Sequence, residues 1–255
     1  GGGGAMNVDL SSIQPHLLGT FLVFVRLAAV FMLLPGFGST VVPARFKLAM
    51  AVVLSLFWHR ETATQEGLPV GAIAANFLLG AAMGLVLRTI VAGAELAGEM
   101  MGVQMGFGFG RTVDPLSGEQ GGVIRNLITM SSGALFFATG SHHLVLRGFD
   151  AALSRFPLQA RFAAGDWATL LVRAGETLFV TGVRLAIPVS ACVLVSQLGF
   201  ALLARIAPQL NVWGIGFLAS VGTGVITLSI YIQNLNSELA ELWRAGLEQW
   251  DAILR

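Results

Sequence analysis

Long stretches without a charged side chain are the feature that most restricts what this chain can fold into. A helix needs about 20 apolar residues to cross the hydrocarbon core of a membrane. Charged residues make up only 11% of the chain, against roughly 25% in soluble domains. The sequence therefore predicts an integral membrane protein with five or six candidate spans. The uncharged stretches cover residues 10–25, 27–44, 67–87, 126–146, 185–204 and 206–237.

The remaining composition argues against several other classes of protein. The net charge of +1 favours neither nucleic acid nor an acidic partner. The single cysteine, Cys192, excludes an internal disulfide and a cysteine-only metal site. His142 and His143 are adjacent, so on a helix they diverge by about 100° and cannot share a metal as an i, i+4 pair would. The common nucleotide-binding, zinc-protease and serine-hydrolase motifs are absent from the sequence, which gives an enzymatic function no support.

Residues 1–5, ahead of Met6, look like a segment added by engineering, and we expect residues 6–255 to form one membrane domain. Residues 48–58 are short for a span and fit one arm of a helical hairpin after a turn at Pro43. Asp166 is a plausible N-cap for a helix that reaches about residue 206 and bends at Pro188.

The C-terminal segment, residues 236–255, has apolar side chains at spacings of three, four and seven, which predicts an amphipathic helix. Acidic residues outnumber basic ones on its polar side, and such a face suits anionic lipid poorly. We therefore expect this helix to dock on a protein partner.

Three arginines, Arg26, Arg88 and Arg184, interrupt the apolar stretches, and each would be costly if it faced lipid. Because an unpaired buried charge costs several kcal/mol, on the order of 3–5 when one partner is lost, we predict that at least one of them meets a carboxylate. Replacing Arg184 with Met should then disturb assembly.

Two carboxylates, Glu95 and Glu99, lie four residues apart in an otherwise apolar helical stretch. They can form ion pairs with Arg88 or with a basic partner subunit, lie in water, or relay protons across the membrane. The residue types alone leave these alternatives open.

Glycines recur at a spacing of four, first as Gly80 and Gly84 and then as Gly98, Gly102 and Gly106. On a helix, each set lies on one face and lets another backbone approach closely. The spacing predicts crowded helix packing just before the most unusual segment of the chain.

That segment reads MGFGFGRTVDPLSG, residues 105–118. Its glycines permit unusual backbone angles, its two phenylalanines are large and apolar, and its Asp-Pro and Ser-Gly pairs favour turns. It is either a connecting loop that rests on the membrane interface or a deformable hydrophobic stopper inside a pore.

Three segments, in order along the chain, resemble signatures of the FliR family of flagellar biosynthesis proteins, whose injectisome counterparts are the T component of the type III secretion export apparatus. The first is RLAAVFMLLPGFGSTVVPAR, residues 26–45, which contains Pro35 and Pro43. The second is the glycine-rich loop with its Asp-Pro-x-Ser-Gly, and its Ser-Gly favours the flagellar branch. The third is RIAPQLN, with Arg205, Pro208, Gln209 and Asn211.

The resemblance implies an all-helical subunit of long, kinked helices and hairpins in a hetero-oligomeric export gate with the P and Q components, contacting the B component and membrane lipid at the base of the flagellum. It implies no catalysis, cofactor, metal or nucleic acid, with unfolded export substrates passing through the channel across the bacterial inner membrane. It further implies that a central loop at about residues 105–121 plugs this channel. The residues expected at the closed constriction are Met105, Gly106, Phe107, Gly108, Phe109, Gly110, Arg111, Asp114 and Pro115.

One segment departs from the family pattern, because residues 216–220 read GFLAS where many members carry Gly-Phe-Pro-x-Lys. A role that depends on that lysine does not transfer to this chain. The alternative function is a self-contained ion or solute transporter that uses Glu95, Glu99 and the buried arginines.

Overall fold

The computed structural model describes residues 10–34, 43–58, 70–108, 122–156, 158, 164–207 and 212–253. Within these parts of the chain every regular element is an α-helix, which confirms the predicted all-helical class. The elements are α1 (Leu10–Leu33), α2 (Ala44–Phe57), α3 (Val70–Met105), α4 (Val123–Ala138), α5 (Ser141–Arg155), α6 (Ala164–Ile206) and α7 (Val212–Ile253).

Four of the described helices contain segments long and apolar enough to cross a membrane, namely His16–Leu33, Val70–Met105, Ala168–Ile206 and Gly214–Gly246. This confirms the membrane class but gives fewer spans than the five or six predicted. The uncharged stretch 126–146 is not one helix, because Gly140 adopts a positive φ of 71°. Its N–H bonds to the Phe137 carbonyl at 3.1 Å, which ends α4 after 16 residues.

The first and last residues of α6 and α7 test two predictions about the C-terminal part of the chain. The helix α6 contains Pro188 and ends at Ile206, as predicted, but it begins at Ala164, two residues before the expected cap. Residues 236–253 are helical, as predicted, but they form the C-terminal part of α7 and not a helix of their own, since α7 runs from Val212 to Ile253. No glycine or proline occurs between residues 225 and 245 to stop it.

The apolar stripe of that segment is real, but it packs within the chain. Leu235, Leu239 and Trp243 are fully buried, and the Trp243 indole N–H donates to the Ser132 carbonyl of α4 at 3.3 Å. The expectation that this stripe docks on a separate protein is therefore wrong for these three side chains.

The chain divides into two compact units. Unit 1 comprises residues 1–88, 145–170 and 250–255, and unit 2 comprises residues 89–144 and 171–249. In unit 1, α2 packs against α1, as expected of a hairpin arm. Its helix starts directly after Pro43.

Within unit 1, α3 approaches α1 closely at the predicted glycine pair. A Cβ added at Gly80 would lie 2.9 Å from the Ala29 Cβ, and one at Gly84 would lie 2.8 Å from the Leu33 Cβ. Both distances are too short for real side chains, so these positions require glycine unless the helices separate.

A buried polar network also joins the elements of unit 1. The Arg26 Nε donates to the Asn76 Oδ1 at 3.0 Å, and its two terminal nitrogens donate to the Phe156 carbonyl at 3.2 and 3.3 Å. Phe156 follows the last residue of α5, so the guanidinium lies at the negative end of that helix dipole. The Asn76 Nδ2 donates to the Leu158 carbonyl at 2.6 Å. The described partners of Arg26 are thus neutral oxygens.

Replacing Gly80 with Ala should destabilise the protein, because the new methyl group overlaps α1. Overpacking of this kind typically costs about 1–3 kcal/mol. Gly71→Ala is the matched control on the same helix, since a Cβ there meets nothing within 4 Å. Thermal unfolding in detergent should show a lower midpoint for Gly80→Ala and an unchanged or higher one for Gly71→Ala. Equal midpoints for the two variants would contradict the close contact.

Candidate functional site

The predicted plug loop lies between α3 and α4 in unit 2. The structure describes its first residues, 105–108, and Gly122 on its far side. Phe109, Gly110, Arg111, Asp114 and Pro115 lie outside the described residues, and their assignment to a constriction stays a prediction.

The stem of the loop, which we define as residues 104–108 at the end of α3, forms a regular helix C-cap. Gly106 has a φ of +94°, and its N–H donates to the Val103 carbonyl at 3.0 Å. The Phe107 N–H reaches back to the Gly102 carbonyl at 2.9 Å. This pair of bonds around a left-handed glycine is the Schellman motif, which satisfies the last carbonyls of a helix. Gly106 thus ends α3 instead of extending the glycine face of the helix.

The side chain of Met105 is fully buried and packs against Gly224 of α7. It belongs to the hydrophobic core of unit 2, and Phe107 packs partly buried against the same core. The loop therefore leaves this core with its first residues fixed. This packing does not test whether Met105 and Phe107 lie at a channel constriction, so that assignment stays a prediction.

Two further residues contact the stem, and the sequence analysis assigned neither of them a role. A Cβ at Gly106 would lie 2.8 Å from the ring of Phe217, which falls in the segment that departs from the family pattern. The exposed side chain of Gln197 in α6 donates to the Gln104 carbonyl at 3.0 Å. Gln197 carries the only side-chain amide in the uncharged stretch 185–204, and this was the sequence feature that could have identified it.

The helices on both sides of the loop are joined by an ion pair. The Arg125 Nη2 of α4 lies 3.2 Å from the Glu95 Oε2 of α3. Close by, a Cβ at Gly98 would lie 2.6 Å from the Arg125 Cα, so the two helices touch along their backbones. Glu95 thus has a partner that the sequence analysis did not name, and Glu99 is half-buried one turn later.

A second ion pair brings one of the three arginines to a carboxylate, but its side chain is largely exposed, whereas the prediction concerned buried arginines. The Arg184 Nε of α6 lies 3.7 Å from the Glu238 Oε2 of α7, and the Tyr231 hydroxyl donates to the other oxygen of Glu238 at 3.1 Å. The Arg184 side chain is 64% exposed, so this pair is weak. Arg88 is half-buried in α3.

The other predicted residues are scattered. Arg205 is exposed near the end of α6. Pro35, Pro208, Gln209 and Asn211 lie outside the described residues. Among the described residues, no group of three or more His, Cys, Asp or Glu side chains is placed to hold a metal ion. The ring centroids of His142 and His143 lie 4.0 Å apart, and His142 also contacts the ring of Phe137.

We expect the Glu95–Arg125 pair to stabilise unit 2. In a double-mutant cycle with Glu95→Gln and Arg125→Gln, the coupling energy should be about 1 kcal/mol, the upper end for a partly exposed pair, because Arg125 is 35% exposed. The same cycle on Arg184 and Glu238 is the control and should give a value near zero. Chemical denaturation measures both, and a Glu95–Arg125 coupling no larger than the control would contradict a structural role.

Known proteins are similar to this chain over most of its length. Residues 17–246 match the family described as bacterial export proteins, family 1. The flagellar biosynthetic protein FliR of Caulobacter vibrioides is 28% identical, covering 93% of this chain and 95% of that protein. The FliR proteins of Escherichia coli and Bacillus subtilis are 28% and 26% identical over 80% and 82% of this chain, and 80% and 84% of their own lengths.

These matches confirm the resemblance to the FliR family that the three signatures indicated. Since the family match extends from α1 to the last turns of α7, it includes both units and the loop between α3 and α4. The chain belongs to the bacterial export proteins, family 1.

Proposed function

We propose that this protein is a membrane-embedded subunit of the flagellar protein export gate and that its loop at residues 105–121 plugs the channel. Family membership and the FliR relatives support the export function. The observation that carries the plug is the stem geometry: an apolar, glycine-rich loop leaves the helix α3 at a fixed point beside a packed core.

The exposed surface supports assembly with other subunits. The helices α6 and α7 expose many large apolar side chains in this chain alone, for example Val172, Ile206, Leu218 and Ile230. Exposed apolar side chains of this number are typical of surfaces that contact membrane lipid or other proteins. In an export gate the P and Q components and the B component would cover part of this surface, at the bacterial inner membrane.

A protein export channel has two requirements that such a loop meets. When idle, it must exclude ions and small molecules, and apolar side chains in a narrow constriction do so because water leaves it. When an unfolded export substrate arrives, the loop must move, and glycine residues favour such movement because they have no side chain and adopt many backbone angles. The energy for export would come from other parts of the apparatus, so this subunit needs no cofactor.

A self-contained ion or solute transporter remains the rival function. It would use Glu95 and Glu99 together with the buried arginines. Two observations favour the gate: Glu95 is engaged by Arg125, and Arg26 joins structural elements of unit 1 through neutral oxygens. Both arrangements suit a structural role.

Deleting residues 106–110, or replacing Phe107 and Phe109 with Ala, should leave the assembled complex leaky to small solutes. The physical reason is the loss of the apolar groups that keep water out of the constriction. Membrane permeability and ion conductance are measured in cells that carry the intact complex, with co-purification of the partner subunits as the assembly control.

The comparison variant is Gly133→Ala in α4, where a Cβ meets nothing within 4 Å. It should assemble and remain as tight as the wild type. If the loop deletion assembles equally well and the membrane stays closed to ions, the loop is a connector and the plug proposal fails.

A further inference from the structure

We infer that phospholipid covers only one half of each of the two longest helices, residues 185–205 of α6 and residues 214–231 of α7. We call these two segments together the lipid-facing band. The other half of each helix then lies outside the hydrocarbon of the membrane. This inference rests on the membrane-embedded part of the proposed function and is independent of the plug.

Both helices are too long for the membrane to cover them completely. The helix α6 has 43 residues and α7 has 42, so at 1.5 Å per residue each is about 63–65 Å long. The hydrocarbon core of a typical bilayer is about 30 Å thick. Tilt in the usual range does not remove a difference of this size, so a large part of each helix lies outside the core.

The exposed side chains of α7 change in character at Tyr231. Before it, the exposed large side chains are all apolar, and after it most exposed side chains are polar or charged. The apolar set is Ile215, Phe217, Leu218, Val225, Ile226 and Ile230. The exposed residues after Tyr231 are Gln233, Asn234, Ser237, Glu241, Arg244 and Ala245. The surface of α7 therefore suits lipid up to Tyr231 and water beyond it.

On α6, two exposed arginines mark the ends of an apolar stretch of matching length. Arg184 and Arg205 are 21 residues apart, or about 32 Å along the helix, and the sequence between them has no charged residue. Guanidinium groups at this separation complement the phosphates of the two lipid leaflets. This match of charge and length identifies phospholipid as the occupant. The exposed large apolar side chains between the arginines include Ile187, Leu194, Val195, Leu198 and Leu202.

The part of α6 that precedes Arg184 has a different surface. Here the charged side chains of Arg173 and Glu176 are exposed together with the apolar side chains of Phe179 and Val180. Charged side chains are costly in hydrocarbon. We therefore place this mixed surface outside the bilayer, where other subunits of the gate cover its apolar side chains.

The two segments of the band lie side by side at the same level. Contacts between α6 and α7 follow an antiparallel order, since residue numbers rise on α7 as they fall on α6. The polar part of α7 thus meets Arg184, and both helices leave the hydrocarbon at the same end. The contacting pairs are Phe200–Gly216, Ser196–Thr223 and Arg184–Glu238.

The uncharged polar side chains that are exposed within the band bond to the protein itself. The Ser229 hydroxyl donates to the Val225 carbonyl at 2.8 Å, and the Gln197 amide donates to the Gln104 carbonyl at 3.0 Å. Lipid tails offer no hydrogen-bond partner. This internal bonding is therefore what a lipid-facing surface requires.

The test places nitroxide spin labels on the assembled complex in vesicles of phosphatidylcholine and phosphatidylglycerol. A label in hydrocarbon collides with dissolved oxygen, a label in water collides with a water-soluble nickel chelate, and a label covered by protein collides with neither. The native Cys192 is exposed within the band, so the first label needs no substitution when the other components lack reactive cysteines.

Further labels are introduced in a Cys192→Ala background. Val195→Cys and Ile226→Cys lie near the middle of the band, and Gln233→Cys and Ser237→Cys are the matched exposed controls on α7. We expect the ratio of oxygen to nickel collisions to be several-fold higher at residues 192, 195 and 226 than at the two controls. On each helix the ratio should fall from the middle of the band toward its ends.

Three results would contradict the inference. Labels at residues 192, 195 and 226 that collide with neither reagent would show that protein covers the band, and the export function would still stand. A hydrocarbon signal at residues 233 and 237 would show that the band has no limit at Tyr231. A complex that does not float with the vesicles in a density gradient would overturn the membrane-embedded part of the proposed function as well.

Discussion

Four glycines of α3 let neighbouring helices approach its backbone, and the packing of each unit is arranged around these contacts. In unit 1, Gly80 and Gly84 lie against α1; in unit 2, Gly93 lies against Thr181 of α6, and Gly98 against the backbone of α4. Lipid tails are as apolar as leucine, so helices in a membrane are held together chiefly by such van der Waals contact and by hydrogen bonds. The close approach at Gly98 also places the start of α4 beside the end of α3, which determines where the connecting loop leaves and returns.

Polar groups complement these contacts without dominating them. Arg26 is almost fully buried and is satisfied by an amide and a backbone carbonyl, while Arg125 and Arg184 pair with carboxylates at partly exposed positions. The stem of the loop combines both devices: Met105 packs into the space left by Gly224, and Gln197 satisfies a terminal carbonyl of α3. These contacts hold Gln104 and Met105 at the end of α3, where the loop begins.

Local chemistry in the sequence predicted much of the fold. The glycine spacing correctly identified the contact at Gly80 and Gly84. As expected, α2 begins directly after Pro43 and Pro188 lies inside α6. Hydropathy failed at Gly140, because it does not register a left-handed glycine that ends a helix. The partners of the site could not be predicted either: Arg125, Gln197 and Phe217 act through contacts between residues far apart in sequence. Such pairings depend on how whole helices pack, which no local pattern specifies.

The central claim is that this chain is one subunit of a larger export gate and not a transporter on its own. The most direct measurement is the mass of the intact complex after co-expression with the neighbouring export-gate components. The account predicts that the protein is recovered in a hetero-oligomer of fixed stoichiometry with the P and Q components, and that it is poorly stable without them. A stable, functional homo-oligomer obtained without any partner would contradict it.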